Sequence, residues 1–267
     1  MTQTPVALRP MAVADLIDQA FALCRRHFGY FAKLEVVLLG PATLLQAVLP
    51  PLAGAGAGAS AQAATQVVMG LAASVAGLMA YAAVTRAVAA ARMGQRLSLG
   101  EAYMLGGGLL WRLLAAGVLY ILAAMLLMIT IAGSVYVLVL WSQVLVVLVL
   151  ERVGVFRAFG RSRALIRGSW WRVCGYELVV LILYLIAAGL VGGVIGGVGG
   201  LFIAMAGYNT GSVPFAVVTA LANIVGQCVA TPFLHCATVL LYYDLRVRKE
   251  GLDLELRAEQ LAAAAAS

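Results

Sequence analysis

Residues 214–251, PFAVVTALANIVGQCVATPFLHCATVLLYYDLRVRKEG, decide how the rest of the chain is read. From Pro214 to Tyr243 there is no Lys, Arg, Asp or Glu, and the segment then closes on Asp244, Arg246, Arg248 and Lys249. An apolar run of this length exceeds the ~20 residues that a helix needs to cross a bilayer core. Inside it Thr219, Asn223, Gln227, Thr231 and His235 recur at every fourth position. On a helix that spacing sets neighbours one turn apart. Each step of four advances about 400°, so the row drifts ~40° per rung and spirals across the helix. The spacing predicts a seam whose rungs bond to different neighbouring helices, at roughly 0.6 kcal/mol each.

Composition extends this reading to the whole chain. Its 267 residues are 64% hydrophobic and only 11% charged, with a mean hydropathy of +1.01. A soluble domain is roughly 45–50% apolar and about 25% charged. The predicted fold is an all-α integral membrane protein forming a single membrane domain. Its spans are expected at residues 30–48, 64–84, 109–131, 136–150, 173–195 and 215–243. Pro41 is the expected kink of the first span and Pro50-Pro51 its end. A tight turn is expected near Gly133, and a glycine-rich run ends the fifth span. Residues 244–267 read as a cytoplasmic tail.

Two further stretches are amphipathic. In 13–28, Val13, Leu16, Ile17, Ala20, Phe21 and Cys24 share a face, with Asp15, Asp18, Gln19, Arg25 and Arg26 opposite. In 153–168, Val155, Phe159 and Ile166 are flanked by arginines, and Trp170-Trp171 follows. Both read as helices lying in the membrane interface. A weaker third piece covers 98–108. Asp15 and Asp18 interrupt the N-terminal stretch before any apolar run, so it does not read as a cleavable signal.

Charge placement predicts orientation. The loops near 50–63, 132–135 and 198–213 contain none of the 18 Lys and Arg residues. Positive residues stay cytoplasmic, so both termini are expected inside a bacterial cytoplasmic membrane. The net charge of +7 then reads as attraction to anionic lipid headgroups. No nucleic-acid-binding motif accompanies it.

A faint repeat runs through the chain. Ala20-Phe21 precedes Phe28, Ala102-Tyr103 precedes Trp111, and Ala158-Phe159 precedes Trp170. Seven residues after Phe28 comes Glu35, and seven after Trp170 comes Glu177, with Val118 in the middle unit. The pattern is three helical hairpins, each preceded by an amphipathic interfacial helix.

Leu8-Arg9-Pro10, Asp15-Leu16-Ile17-Asp18, Arg25-Arg26-His27-Phe28, the run from Arg167 to Val173 and the close from Tyr242 to Leu256 resemble one family. They are similar to the membrane domain of the glycerophosphoryl diester phosphodiesterase family. The likeness spans nearly the whole chain. It implies a fold and a membrane home. The hydrolase itself is a separate barrel of about 250 residues, and none is expected within these 267 residues.

The residues offer little catalytic chemistry. Histidine occurs only at 27 and 235, and His235-Cys236 diverge by about 100° on a helix, so no metal or cofactor site is expected. Cys24, Cys174, Cys228 and Cys236 show no paired spacing and read as buried thiols. The glycine rows 189/193/197 and 192/196/200 read as close helix packing, within the chain or between two copies. The functional candidates are the intramembrane polar groups Glu35, Arg86, Glu177, Asn223, Gln227, His235 and Asp244. They would hold an ion or a headgroup, with Glu35 and Glu177 flanking a cytoplasmic vestibule lined by the last span. Arg25, Arg26, Arg157, Arg161, Arg163, Arg167 and Arg172 are the expected headgroup contacts. The leading function is a non-catalytic membrane component that binds lipid or a protein partner. The alternatives are a transporter or channel for a small solute or lipid and, less well matched by the residues, a membrane-embedded enzyme.

Overall fold

A computed structural model describes residues 11–53, 58–106, 108–127 and 130–251. Within them every regular element is an α-helix. In chain order these are α1 (Val13–Ala53), α2 (Ala59–Arg92), α3 (Leu99–Tyr103), α4 (Leu109–Leu127), α5 (Ile131–Leu140), α6 (Val144–Glu151), α7 (Val155–Ile166), α8 (Trp170–Met205) and α9 (Val213–Glu250). Six stretches are long and apolar enough to cross a membrane: Val13–Leu52, Ser60–Arg92, Leu109–Leu127, Gly133–Glu151, Trp170–Met205 and Val213–Glu250. The chain is an all-α, multi-pass membrane protein. Hydrocarbon offers no hydrogen-bond partner, so each spanning backbone must satisfy its own amides, which a helix does. The lead 1–10, the centre of the 53–60 linker and the tail beyond Gly251 lie outside the described residues.

Several boundaries differ from the expectation. α1 runs through Pro41, Pro50 and Pro51 to Ala53; its non-helical residue is His27, at φ −119° and ψ 15°. That kink separates the amphipathic stretch from the span. α8 continues straight through its glycine run to Met205. In lipid the usual helix breakers lose force, because a broken backbone finds no water to solvate it. Residues 244–250 are helix rather than tail. Asp244, Leu245 and Val247 are buried, and α9 ends at Gly251, whose φ of +64° is the left-handed cap that glycine adopts without strain.

The fourth span differs most. It is two helices, α5 and α6, joined by Trp141, Ser142 and Gln143. The turn expected near Gly133 instead precedes α5 at Thr130, which puts Gly133 inside the helix.

α9 is the shared wall of the molecule. It packs along α8 on one side and α1 on the other, with α2 also against it. α1 meets α2, α4 meets α5, and α6 packs on α7, α2 and α4. Part of the apolar face of each amphipathic stretch packs on protein. Leu16, Ala20 and Cys24 are buried, and Phe21 meets Phe233 edge-on with ring centres 5.9 Å apart. α7 buries Ala158, Ser162, Leu165 and Ile166, and Phe159 stands edge-on to Trp141 at 4.8 Å.

The two glycine rows of α8 have different roles. A Cβ added at Gly192 would lie 3.2 Å from Ala222 O, and one at Gly226 of α9 only 3.1 Å from Gly192 Cα. Around Gly189, Gly193 and Gly197 nothing lies within 4 Å. The first row lets α8 and α9 touch backbone to backbone. Gly226→Val is therefore expected to cost about 1–3 kcal/mol by overpacking, while Gly189→Ala is near neutral. Thermal unfolding of the detergent-solubilised variants measures this, and equal midpoints would refute the assignment.

Candidate functional site

The end of α9 holds the first charged constellation. Asp244 has a fully buried side chain, 0% exposed. Its Oδ1 accepts from the Met11 amide at 2.9 Å. Its Oδ2 accepts from Arg172 Nη1 at 2.8 Å and from Arg248 Nε at 3.0 Å. Both arginines also donate to Met11 O, at 2.8 and 2.6 Å. Asp244 was expected as an ion or headgroup ligand and Arg172 as a headgroup contact. They are instead each other's partners, because a carboxylate this deeply buried needs compensating charge.

A second knot lies beside it. Arg161 Nε reaches both oxygens of Glu151 at 3.0 Å, and its Nη1 pairs with Glu250. Arg246 Nε donates to Glu250 at 2.9 Å and Tyr242 Oη to Glu151 at 2.7 Å. The hydrogen bond to Glu250, aided by Glu151 against the effect of burial, raises the Arg161 pKa above its ordinary value. Arg161 therefore ties α7 to α6 and α9. Arg86 is likewise occupied: Nη1 donates to Ala102 O at 3.1 Å and Met104 O at 2.7 Å, which satisfies carbonyls at the end of α3.

Deeper in, Glu35 of α1 is 2% exposed and faces His235 of α9. Oε1 lies 2.8 Å from Nε2, off the hydrogen-bonding axis. Tyr81 of α2 meets the imidazole edge-on at 4.9 Å. Three helices close around this pair, so it is a packed contact rather than the wall of a vestibule.

The remaining carboxylate has a different setting. Glu177 of α8 lines a cavity of about 280 Å³ with Tyr120 of α4, Ser142 of the break, Tyr176 of α8 and Thr238 of α9. Ser142 and Gln143 face its carboxylate. Among the described residues no Lys, Arg or His lies within ion-pair distance of it. Of α9, Leu234, Thr238 and Leu241 line the cavity; Asn223 and Gln227 do not. The polar row largely bonds to its own helix. Thr219 Oγ1 donates to Phe215 O at 2.9 Å, Asn223 Nδ2 to Thr219 O at 2.9 Å, and Thr231 Oγ1 to Gln227 O at 2.6 Å. Back-bonding to the residue one turn earlier satisfies these groups without a neighbour. Of the row, His235 is the member that meets another helix through a charged partner.

Ser142 and Gln143 were not among the expected site residues. Their signal was present: they are the adjacent polar pair inside the otherwise apolar 136–150 segment. Arg25, Arg26, Arg157, Arg163 and Arg167 are exposed. Among the described residues no three His, Cys, Asp or Glu side chains converge as metal ligands would. No family model, curated protein or solved structure matches the chain.

Asp244→Ala strips two arginines and a backbone amide of their shared acceptor. The expected loss is about 3 kcal/mol, the scale for breaking a buried pair on one side. Chemical unfolding in micelles checks it, and a stability within error of wild type would contradict the clamp.

Proposed function

We propose that this chain is a non-catalytic, multi-pass component of a bacterial cytoplasmic membrane that binds anionic lipid headgroups along one basic face. The carrying observation is the outer side of α7 and its surroundings. Arg157, Arg163 and Arg167 are exposed there, with Phe156 81% and Trp171 82% exposed beside them. Arg25 and Arg26 are exposed on the early part of α1. Interfacial aromatics with flanking arginines suit the headgroup layer, and each basic group near an anionic surface contributes about 1 kcal/mol. In this reading α7 and the start of α1 lie at the membrane surface, held to the protein by their apolar faces and turned to lipid by their charges.

Charge placement supports the orientation. Residues 36–85, 113–150 and 178–243 contain no Lys, Arg, Asp or Glu. The basic residues therefore gather at the same ends of alternating spans, which supports a reading with both termini in the cytoplasm. Membership in the family of glycerophosphoryl diester phosphodiesterase membrane domains belongs to this proposal and rests on the residues quoted for it above.

A second reading is supported by one observation. The fourth span is interrupted at Trp141–Gln143 beside Glu177, and discontinuous helices next to polar groups are a device of solute transporters.

The triple variant Arg157→Gln/Arg163→Gln/Arg167→Gln is expected to retain less phosphatidylglycerol on purification, by about fivefold per charge at low salt. Lipid quantification by native mass spectrometry reads this; unchanged retention would sink the headgroup face. In intact cells a membrane-impermeant maleimide should label Gly211→Cys, and label Arg163→Cys only after lysis. The reverse pattern would overturn the orientation.

A further inference from the structure

At the cavity beside Glu177 an interior carboxylate stands without a basic partner among the described residues. Glu35, Glu151 and Asp244 each have a basic partner within 3.0 Å. Glu177 has none among the described residues, although it sits between α4, α8, α9 and the α5–α6 break. A carboxylate withdrawn from water favours a positive group beside it.

The neighbouring polar groups point the same way. Tyr176 Oη donates its hydrogen away to Ala237 O at 2.9 Å, Tyr120 Oη to Leu138 O at 3.2 Å, and Thr238 Oγ1 to Leu234 O at 2.8 Å. Each hydroxyl has one hydrogen, so these three side chains, which line the cavity, have none left to donate into it. Gln143 is wholly buried, and its Oε1 has no hydrogen-bond partner. Ser142 and Gln143 hydrogen-bond the Glu177 carboxylate; beyond these two the side chains lining the cavity have no hydrogen free to donate. It suits a ligand that brings both positive charge and several N–H groups.

Size and lining narrow the class. About 280 Å³ is several times the ~30 Å³ that one water occupies, more than a bare ion requires. Val180, Leu181, Leu234 and Leu241 form apolar walls, and the tyrosine rings add faces that attract cations. Leu181 lines the cavity and is also 47% exposed, so the opening lies on the outer side of α8. We propose that this cavity binds a primary ammonium group with a short aliphatic attachment, its charge on Glu177 and its carbon chain along the leucine wall. The ammonium has two natural sources, a free alkylamine or the headgroup of an aminophospholipid entering from the bilayer. The inference stands on the cavity and is independent of the basic face of α7.

The test uses the full chain in nanodiscs. Butylammonium chloride is titrated by calorimetry, with butanol as the neutral control. In parallel, native mass spectrometry compares retention of phosphatidylethanolamine with that of phosphatidylcholine. Expected is saturable binding of at least one amine probe, absent for its neutral or quaternary counterpart, and weakened about tenfold or more in Glu177→Gln, the scale of one lost charge partner. Binding of butylammonium alone identifies an aqueous ligand, and preference for phosphatidylethanolamine a lipid one. Should Glu177→Gln fail to fold by size exclusion and circular dichroism, Leu181→Trp, which fills the mouth and keeps the carboxylate, must abolish binding instead. Saturable binding of neither amine, equal binding of butanol, or binding that survives in the folded variant would overturn the proposal. Phosphatidylglycerol retention stays at the wild-type level in Glu177→Gln, which separates this outcome from failure of the headgroup face.

Discussion

The fold depends on how a carboxylate can be buried in a chain that has few charges to pair it with. Asp244 is held by two arginines and a backbone amide, and through them joins the second residue before α1, the start of α8 and the last turns of α9. Each arginine contributes a planar fork, one nitrogen to the carboxylate and one to the Met11 carbonyl. Lysine has no such geometry. The neighbouring knot of Arg161, Glu151, Glu250, Arg246 and Tyr242 repeats the principle between α6, α7 and α9. The apolar lengths of the helices are then free to face lipid or one another, with polar chemistry gathered at one end.

α9 gives this arrangement a centre. Glu35 approaches it from α1 and meets His235, while Glu177 lies across a cavity from Leu234 and Thr238 on the α8 side. The two glutamates occupy matching places after Phe28 and Trp170 in the sequence, yet their surroundings differ. One is matched by an imidazole and closed over by three helices. The other faces an open volume and a broken helix. That contrast in surroundings singles out Glu177.

The membrane character was legible because it depends on length and hydropathy, and both survive any detail of packing. The apolar run from Pro214 to Tyr243 sufficed for α9. The polar row within it was misread, because Thr219, Asn223 and Thr231 bond one turn back along their own helix. Spacing alone cannot separate that from bonding to a neighbour. Pro50, Pro51 and the glycine run looked like terminators by the rules of water, where a broken backbone is solvated at once; in hydrocarbon the helix continues. The division of the fourth span escaped notice for the opposite reason. Trp141-Ser142-Gln143 contains neither proline nor glycine, and what interrupts the helix is tertiary: Ser162 takes up Leu140 O at 2.9 Å, and Ser142 and Gln143 turn to Glu177. The partners of Arg161 and Arg172 were out of reach of a linear reading as well, since charge placement reports a side of the membrane and not a contact.

The clamp on Met11 also imposes an order on assembly. Met11 and Asp244 are separated by 233 residues, so the ribosome makes the backbone group long before its acceptor exists. Throughout insertion of the first five spans Met11 awaits a carboxylate still to be synthesised, and the guanidinium of Arg172 joins it only as the fifth span begins. Contacts of such long sequence separation form late, after local helices are in place. Closure at Asp244 is thus a completion signal. A chain stopped before α9 leaves Met11 and Arg172 without the acceptor that joins them.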